Sequence, residues 1–468
     1  MGSPARDHRA TFQRPLTTTN HQTSKAVSWG WALVFVAALH LATATGSWTI
    51  ADHADMILMS HRLIERGTFT LAPEGQVAPE LRWGPTGRPR FFPGPAVAYA
   101  PLVLADRLLG WGRPPELGVL VHFGSHIYVL GALGLLGCAA RRAGARPLAA
   151  AMLVLLCGTS WPVWQIVRSG GAEPVVAFWV ALFLWGSVAR SKVAKAVACL
   201  ALPWTHPTGC LLAPTLALCQ HVAPATEPAA ESRIGLRRER VLLMIVALSS
   251  VGSVILIWNL LYHGDWWGGG YGNHARSLWF AQPPLRVWAG NYLVQWVLYV
   301  PVLMMLCGAT LTLGWRGLRL ILAPMAVFLV ISVFFSVYTP TLGQDYIRRL
   351  SVVWPGFGLA VALAWKGLGL DPRVAGGLAA LNLIIGVYWF YLIDFSYYRL
   401  PDETYYPLVL WITWMLEGRP VLLWGGYLLA CGLAAALAAH HLRPLFAGSA
   451  KPKGAPEGRD EARGPHEA

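Results

Sequence analysis

Residues 241–262 read VLLMIVALSSVGSVILIWNLLY, an unbroken apolar run without one charged side chain. A helix of about 20 such residues covers the hydrocarbon thickness of a bilayer. Just before it stand Arg233, Arg237, Arg238 and Arg240, and just after it comes Gly264-Asp265-Trp266-Trp267. A basic end, an apolar middle and an aromatic end are the pattern of a transmembrane helix with its cationic side in the cytoplasm.

The rest of the chain repeats this pattern. Of 468 residues 13% are charged and 55% hydrophobic, with 23 Trp. Soluble domains carry about 25% charge. So little charge cannot cover the surface of a cytosolic globular enzyme, and so much apolar content excludes a disordered chain. Single spans are expected near 27–46, 117–140, 148–167, 172–189, 241–262, 292–314, 320–338, 350–368, 374–394 and 420–442. Residues 196–221 are apolar too, but Pro203, His206-Pro207 and Pro214 interrupt them. Proline removes a helical hydrogen bond, so this stretch is expected to be a hairpin of two short helices meeting near His206. The fold class is therefore an all-α polytopic membrane protein of about 12 helices. Period-2 alternation of the kind a β-barrel needs is absent.

With a cytoplasmic N-terminus, segments 1–26, 141–147, 190–195, 222–240, 315–319, 366–373 and 443–468 fall inside. They hold 23 Lys+Arg against 9 Asp+Glu, and all other residues hold 14 and 14. The net charge of +14 thus records topology rather than a nucleic-acid partner. Residues 1–26 and 443–468 are expected to be cytoplasmic tails, the latter disordered. The first span is expected to be an uncleaved anchor in the plasma (inner) membrane, and 27–442 to form one membrane domain. All seven Cys lie in or beside apolar segments and no CxxC occurs, so buried, inert thiols are expected.

Outer loops 47–116, 263–291, 395–419 and 339–349 are longer than connecting turns require. The first opens with Asp52-His53-Ala54-Asp55, followed by an amphipathic stretch, Met56 to Arg66, closed by Gly67. Such a stretch suits the membrane interface. Asp52 and Asp55 are candidate bases, with helix capping as the plain alternative. Gly87-Arg88-Pro89-Arg90-Phe91-Phe92-Pro93-Gly94 and an apolar run, 96–104, too short to span, come next. The loop after residue 262 offers Asp265, Trp266, Trp267, Tyr271 and Arg276 amid glycines. The Trp and Tyr rings are flat faces for a sugar or prenyl chain, or else an interfacial aromatic belt. Tyr346, Arg348 and Arg349 precede a later span. Arginine forks match phosphate, and interfacial anchoring is the alternative. Arg168 and Glu173 flank Ser169-Gly170-Gly171 and are further candidates, unless they simply pair.

The order of these motifs resembles the integral-membrane glycosyltransferases of the C superfamily. That superfamily uses polyprenyl-phosphate sugars and includes protein mannosyltransferases and the lipid A aminoarabinose transferase. The shared pieces are Asp52…Gly67, Gly87…Gly94, Asp265-Trp266-Trp267-Gly268-Gly269-Gly270-Tyr271-Gly272 and Asp345-Tyr346-Ile347-Arg348-Arg349 with Pro355-Gly356. The resemblance covers roughly residues 27–368. It favours Asp52 over Asp55 as the catalytic carboxylate. Two departures are Asp52-His53, where the family often has Asp-Glu, and His206-Pro207-Thr208-Gly209, where it has Arg-Pro-Thr-Gly.

What the resemblance implies is sugar transfer on the extracytoplasmic face. The donor is a polyprenyl-phosphate sugar, the acceptor a hydroxyl of a lipid, glycan or protein. Asp52 would be the base and Asp55 its helper. Arg348, Arg349 and Arg276 would hold the phosphate, and Trp266, Trp267 and Tyr271 would line the pocket. No cofactor is called for: a divalent metal shared by Asp52, Asp55 and Glu173 is conceivable chemically, but no ligand spacing demands it. A transporter or flippase of a lipid-linked saccharide would show internal repeats and charges deep within spans, and neither is evident. A non-catalytic scaffold is favoured only by the long loops.

Overall fold

In the computed structural model the described residues are 29–42, 51–71, 88–89, 91–110, 119–219, 230–266, 300–338, 351–365 and 367–389. Among them all regular structure is helical. The elements are α1 (Gly30–Ala42), α2 (Ala51–Arg66), α3 (Pro93–Leu108), α4 (Val119–His122), α5 (Gly124–Arg142), α6 (Pro147–Gly158), α7 (Trp161–Ser169) and α8 (Glu173–Ala189). Then come α9 (Lys192–Thr205), α10 (Gly209–Leu218) and α11 (Ala230–Ser253), the last continuing as a π-helix over Val254–Tyr262. They are followed by α12 (Pro301–Leu311), α13 (Trp315–Tyr338), a 3-10 turn (Ser351–Val353), α14 (Trp354–Ala364) and α15 (Pro372–Trp389). The tails, most of loop 263–291, loop 339–349 and the expected span 420–442 lie outside the described residues.

One helix among the described residues, Gly235–Tyr262, is by itself long and apolar enough to cross a membrane. Six shorter apolar helices accompany it, including Glu173–Ala189 and Trp354–Ala364. The expected span 148–167 is not one helix but two, α6 and α7, bent by 65°. Ser160 is extended (φ −73, ψ 140), and Pro162 sits in the first turn of α7, where a missing N–H costs nothing. The break leaves the last carbonyls of α6 to be satisfied within an apolar core, and each finds a donor. Leu155 O accepts from Thr159 N and Oγ1 (2.9 and 2.7 Å). Leu156 O accepts from Asn382 Nδ2 (2.8 Å), Cys157 O from Ser160 Oγ (2.6 Å), and Gly158 O from His40 Nε2 (2.8 Å). Periodicity could not show this break, because both halves are apolar.

The hairpin expected at 196–221 is present. α9 and α10 pack together and meet at His206, which is extended (φ −161, ψ 150). Gly209 N donates to His206 O (2.7 Å), and Thr208 N to His206 Nδ1 (3.2 Å). Pro203 and Pro214 remain inside their helices. Lys195 on α9 and Glu239 on α11 form an ion pair buried between those helices. Cys157, Cys199 and Cys307 are buried free thiols as expected, but Cys138 is exposed. It occupies an outward position of α5.

Packing divides into two clusters. The larger joins α1, α5 to α10 and α12 to α15, with contributions from α11. The smaller gathers α2, α3 and α4 with Leu71, Phe91, Phe92, the start of α8 (Ala172, Val175) and the π-helix (Val254, Trp258). It caps one end of the bundle. Met56, Ile57 and Met59 are the buried face of α2, against Ala96, Tyr99 and Val103 of α3. Full burial of such side chains is worth roughly 1.5–3 kcal/mol each. Ser60 Oγ donates across to Ala96 O (2.8 Å). α2 ends at Gly67, as expected, with φ +64 and its N–H on Leu63 O (3.0 Å).

On the outer side of this pair Arg107 bridges Glu65 (2.5 Å) and lies 3.0 Å from His61 Nδ1. Burial, then the Arg107 charge, push the His61 pKa below its ordinary 6.5. Asp106, almost fully buried, accepts from Leu120 N and Val121 N (both 2.8 Å) and so anchors α4.

Candidate active site at the capped end of the bundle

The acidic motif enters α2 at once. α2 is described from Ala51 onward, and Asp52 lies in that stretch. Asp55 follows on the next turn, half-buried.

The Asp52–His53 turn of α2 docks onto the turn between α7 and α8. Gly170 and Gly171 have φ of +68 and +83, which only glycine adopts without strain. Gly171 N donates to His53 Nδ1 (3.0 Å), and Tyr99 Oη donates to Gly171 O (2.9 Å). The His53 and Tyr99 rings meet edge to face at 5.3 Å. A Cβ on Gly170 would stand 2.4 Å from His53 Cγ, and one on Gly171 would stand 2.8 Å from Glu173 Oε2. Glu173 is the first residue of α8 and is 5% exposed. Nearby, Ser125 Oγ donates to Val167 O (2.7 Å), pinning α5 to the end of α7. The backbone thus brings together the segments carrying Asp52, Arg168 and Glu173. The 3-10 turn Ser351–Val353 packs against both α7 and α8, which places the residues just after Arg348 and Arg349 beside the same two helices.

The second motif meets the third at the end of the π-helix. Arg88 lies over the Tyr262 ring, 5.3 Å from its centroid, and donates to Tyr262 O. Tyr262 stacks on Trp258 (4.5 Å, 11°), and Phe69 meets Trp258 edge-on (5.6 Å). Tyr262 Oη and Thr70 Oγ1 are 3.2 Å apart. Burial and the Arg88 charge hold the His263 pKa down to about 4, against the opposing pull of Asp265. Asp265 N donates to Asn259 O (3.1 Å) and Asn259 Nδ2 to Trp266 O (3.4 Å), while the Trp266 side chain is 60% exposed. Trp266 is therefore outside the packed cluster. π-helical segments are rare and often mark functional sites.

Trp267, Tyr271, Arg276, Tyr346, Arg348 and Arg349 lie outside the described residues, and of Asp52 and Arg168 only the backbone is described. Among the described residues no three His, Cys, Asp or Glu side chains gather as a metal site would require. The sequence pointed to Asp52, Arg168 and Glu173 but not to His53 or Tyr99 as parts of one arrangement. His53 was visible only as a departure from an acidic pair. Tyr99 had a signal: it is the one hydroxyl in the apolar run 96–104.

With this arrangement in view, the chain can be set against solved structures. ArnT from Cupriavidus metallidurans in the apo state aligns with 90% of this chain and 78% of its own, at TM-score 0.51 and 16% identity. The fold is ArnT-like. ArnT bound to undecaprenyl phosphate aligns at TM-score 0.47 and 15% identity over 90% of this chain and 77% of its own. The archaeal oligosaccharyltransferase AglB from Archaeoglobus fulgidus, in complex with an inhibitory peptide and a dolichol-phosphate, gives 0.40 and 12% over 87% and 56%. No protein-family model and no curated protein sequence matches.

Proposed function

We propose that this protein is a glycosyltransferase of the multi-pass inner membrane. It moves a sugar from a polyprenyl-phosphate donor to an acceptor hydroxyl on the extracytoplasmic face, with both termini in the cytoplasm and about 12 spans between them. The observation that carries the reading is the docking of the Asp52–His53 turn onto Gly170-Gly171, beside Glu173, in an ArnT-like fold. An acidic turn held at the capped end of an apolar bundle is where a lipid-borne substrate and a water-borne acceptor meet.

The step is an inverting displacement. Asp52 takes the acceptor O–H proton, the oxygen attacks the anomeric carbon, and the bond from that carbon to the phosphate oxygen breaks. The lipid phosphate leaves with the electron pair. A positioned base contributes about 10²–10⁴ in rate. Positive charge fixed beside the departing phosphate lowers the barrier further, a role for Arg348 and Arg349 with Arg276. Asp55 orients the acceptor. Arg168 and Glu173 frame the sugar, and Asp265, Trp266, Trp267, Tyr271 and Tyr346 line the approach of sugar and lipid. The reaction uses no cofactor.

The test is transfer in proteoliposomes from a synthetic undecaprenyl-phosphate sugar to an envelope extract. Free undecaprenyl phosphate and glycosylated product should appear in equal amounts. Movement of intact donor between leaflets without cleavage would mean a flippase instead. Donor binding with neither event would mean a scaffold. Mass spectrometry of envelope lipids and glycans from a deletion strain names the sugar and the acceptor.

A further inference from the structure

The Gly171 backbone is gripped on both sides of its Cα. His53 takes its N–H and Tyr99 holds its C=O, at 3.0 and 2.9 Å. Both gripping side chains are buried, His53 at 5% exposure and Tyr99 at 0%. Tyr99 is itself fixed: it meets Tyr128 edge-on at 5.6 Å, and Tyr128 Oη donates to Ala98 O (2.5 Å). Gly124 leaves its ring room, since a Cβ there would stand 2.7 Å from Tyr99 Cδ1. Gly170 leaves room for the His53 ring in the same way.

Elsewhere α2 is held by apolar packing through Met56, Ile57 and Met59, by Ser60 Oγ on Ala96 O and, at its far end, by the Glu65–Arg107 pair. At the Asp52–His53 turn the chain uses two left-handed glycines and two buried, hydrogen-bonded rings. Satisfied buried polar groups specify one geometry more sharply than apolar contact does, and reactive constellations need such support behind them. His53 directly follows Asp52, so whatever fixes His53 also fixes the turn that carries Asp52. We infer that His53 and Tyr99 are the positioning residues for Asp52, acting through the Gly171 backbone. The inference rests on the transfer reaction proposed above.

The bond is one in which His53 Nδ1 accepts, so the substitutions separate by what they offer in its place. Asparagine offers an amide oxygen and phenylalanine offers nothing. The experiment measures kcat and donor KM for Asp52→Asn, His53→Phe, His53→Asn, Tyr99→Phe and the double variant Asp52→Asn/His53→Phe, using an undecaprenyl-phosphate sugar. His53→Phe should lose about 10-fold or more in kcat with donor KM little changed, the loss of one well-placed support costing on that order. His53→Asn should recover most of it, and Tyr99→Phe should lose several-fold. The double variant should be no slower than Asp52→Asn alone, because residues that act through one another are not additive.

Full activity in His53→Phe and Tyr99→Phe, with Asp52→Asn inactive, overturns the positioning role and leaves the transfer reading standing. Multiplying losses in the double variant also overturn it, since His53 would then act apart from Asp52. If Asp52→Asn turns over at the wild-type rate, Asp52 is not the base and the positioning role falls with it, whereas absence of transfer by the wild-type protein defeats the transfer reading itself. Should His53→Phe not fold, Tyr99→Phe removes a single oxygen and carries the same comparison.

Discussion

Arg88 sits over the ring of Tyr262 and donates to that residue's carbonyl oxygen. Together with Thr70 on Tyr262 Oη and Phe69 on Trp258, it ties the first loop to the end of the π-helix, just before His263-Gly264-Asp265-Trp266. A cation over an aromatic face contributes about 0.5–2 kcal/mol, and a charged hydrogen bond about 1.5–3 kcal/mol. Arg88→Ala should therefore lower the melting temperature in detergent and the protein's resistance to protease. Arg88→Lys should restore only part, since it lacks the planar fork. Unchanged protease resistance in Arg88→Ala would show that the two motifs are held together by other contacts.

The same junction should weaken in acid. His263 titrates at 6.5 when unfolded and at about 4 when folded, depressed by burial and by Arg88. Between those values the unfolded chain binds more protons, so stability rises with pH. His61, also depressed, works in the same direction. Melting temperature should fall as pH drops from 7 toward 4, and His263→Gln should flatten part of that slope. A melting temperature that rises on acidification would contradict the assignment.

The bend between α6 and α7 makes a different prediction. Asn382 Nδ2 serves both Leu156 O and Thr159 Oγ1 (2.8 and 2.9 Å). Asn382→Leu leaves a buried carbonyl without its donor, a cost of about 1–3 kcal/mol. A Cβ on Gly386 would stand 2.3 Å from Thr159 O, so Gly386→Ala should cost a similar 1–3 kcal/mol by overpacking. Thermal unfolding in detergent reads both. Since α7 leads into the Gly170-Gly171 turn, activity should fall with stability in each.

The loops should also share one side of the membrane. Single cysteines replacing Gly75, Gly270 and Gly343 should all react with an impermeant thiol reagent added from the extracytoplasmic side. Labelling of any one of them from the cytoplasm alone would separate it from the proposed site.

The helical class and the hairpin at His206 were readable because hydropathy and proline placement act locally. So was the closing of α2, where Gly67 takes φ +64 after an amphipathic stretch. The division of 148–167 was not readable, because its carbonyls are satisfied by His40 and Asn382 from distant helices. The docking of His53 on Gly171 was hidden for the same reason. Both partners were quoted as local features, one a variant of an acidic pair and the other a turn, and only tertiary structure joins residues 118 positions apart. Trp266 is mostly exposed, and sequence alone does not tell an aromatic ring that faces ligand from one that faces lipid.

In the proposed reaction Asp52 takes the acceptor proton. Asp52→Asn keeps size and helix compatibility, so expression and melting should stay near wild type. Sugar transfer from undecaprenyl phosphate should fall by about 10²–10⁴, while Asp55→Asn falls less. Arg348→Ala and Arg349→Ala should raise donor KM, with lysine restoring only part. The decisive reading is the initial rate of Asp52→Asn beside Asp55→Asn in one proteoliposome preparation. Loss of turnover in the first with retained turnover in the second is the predicted result. Wild-type turnover in Asp52→Asn with an inactive Asp55→Asn would move the base three residues on. Full turnover in both would contradict the mechanism.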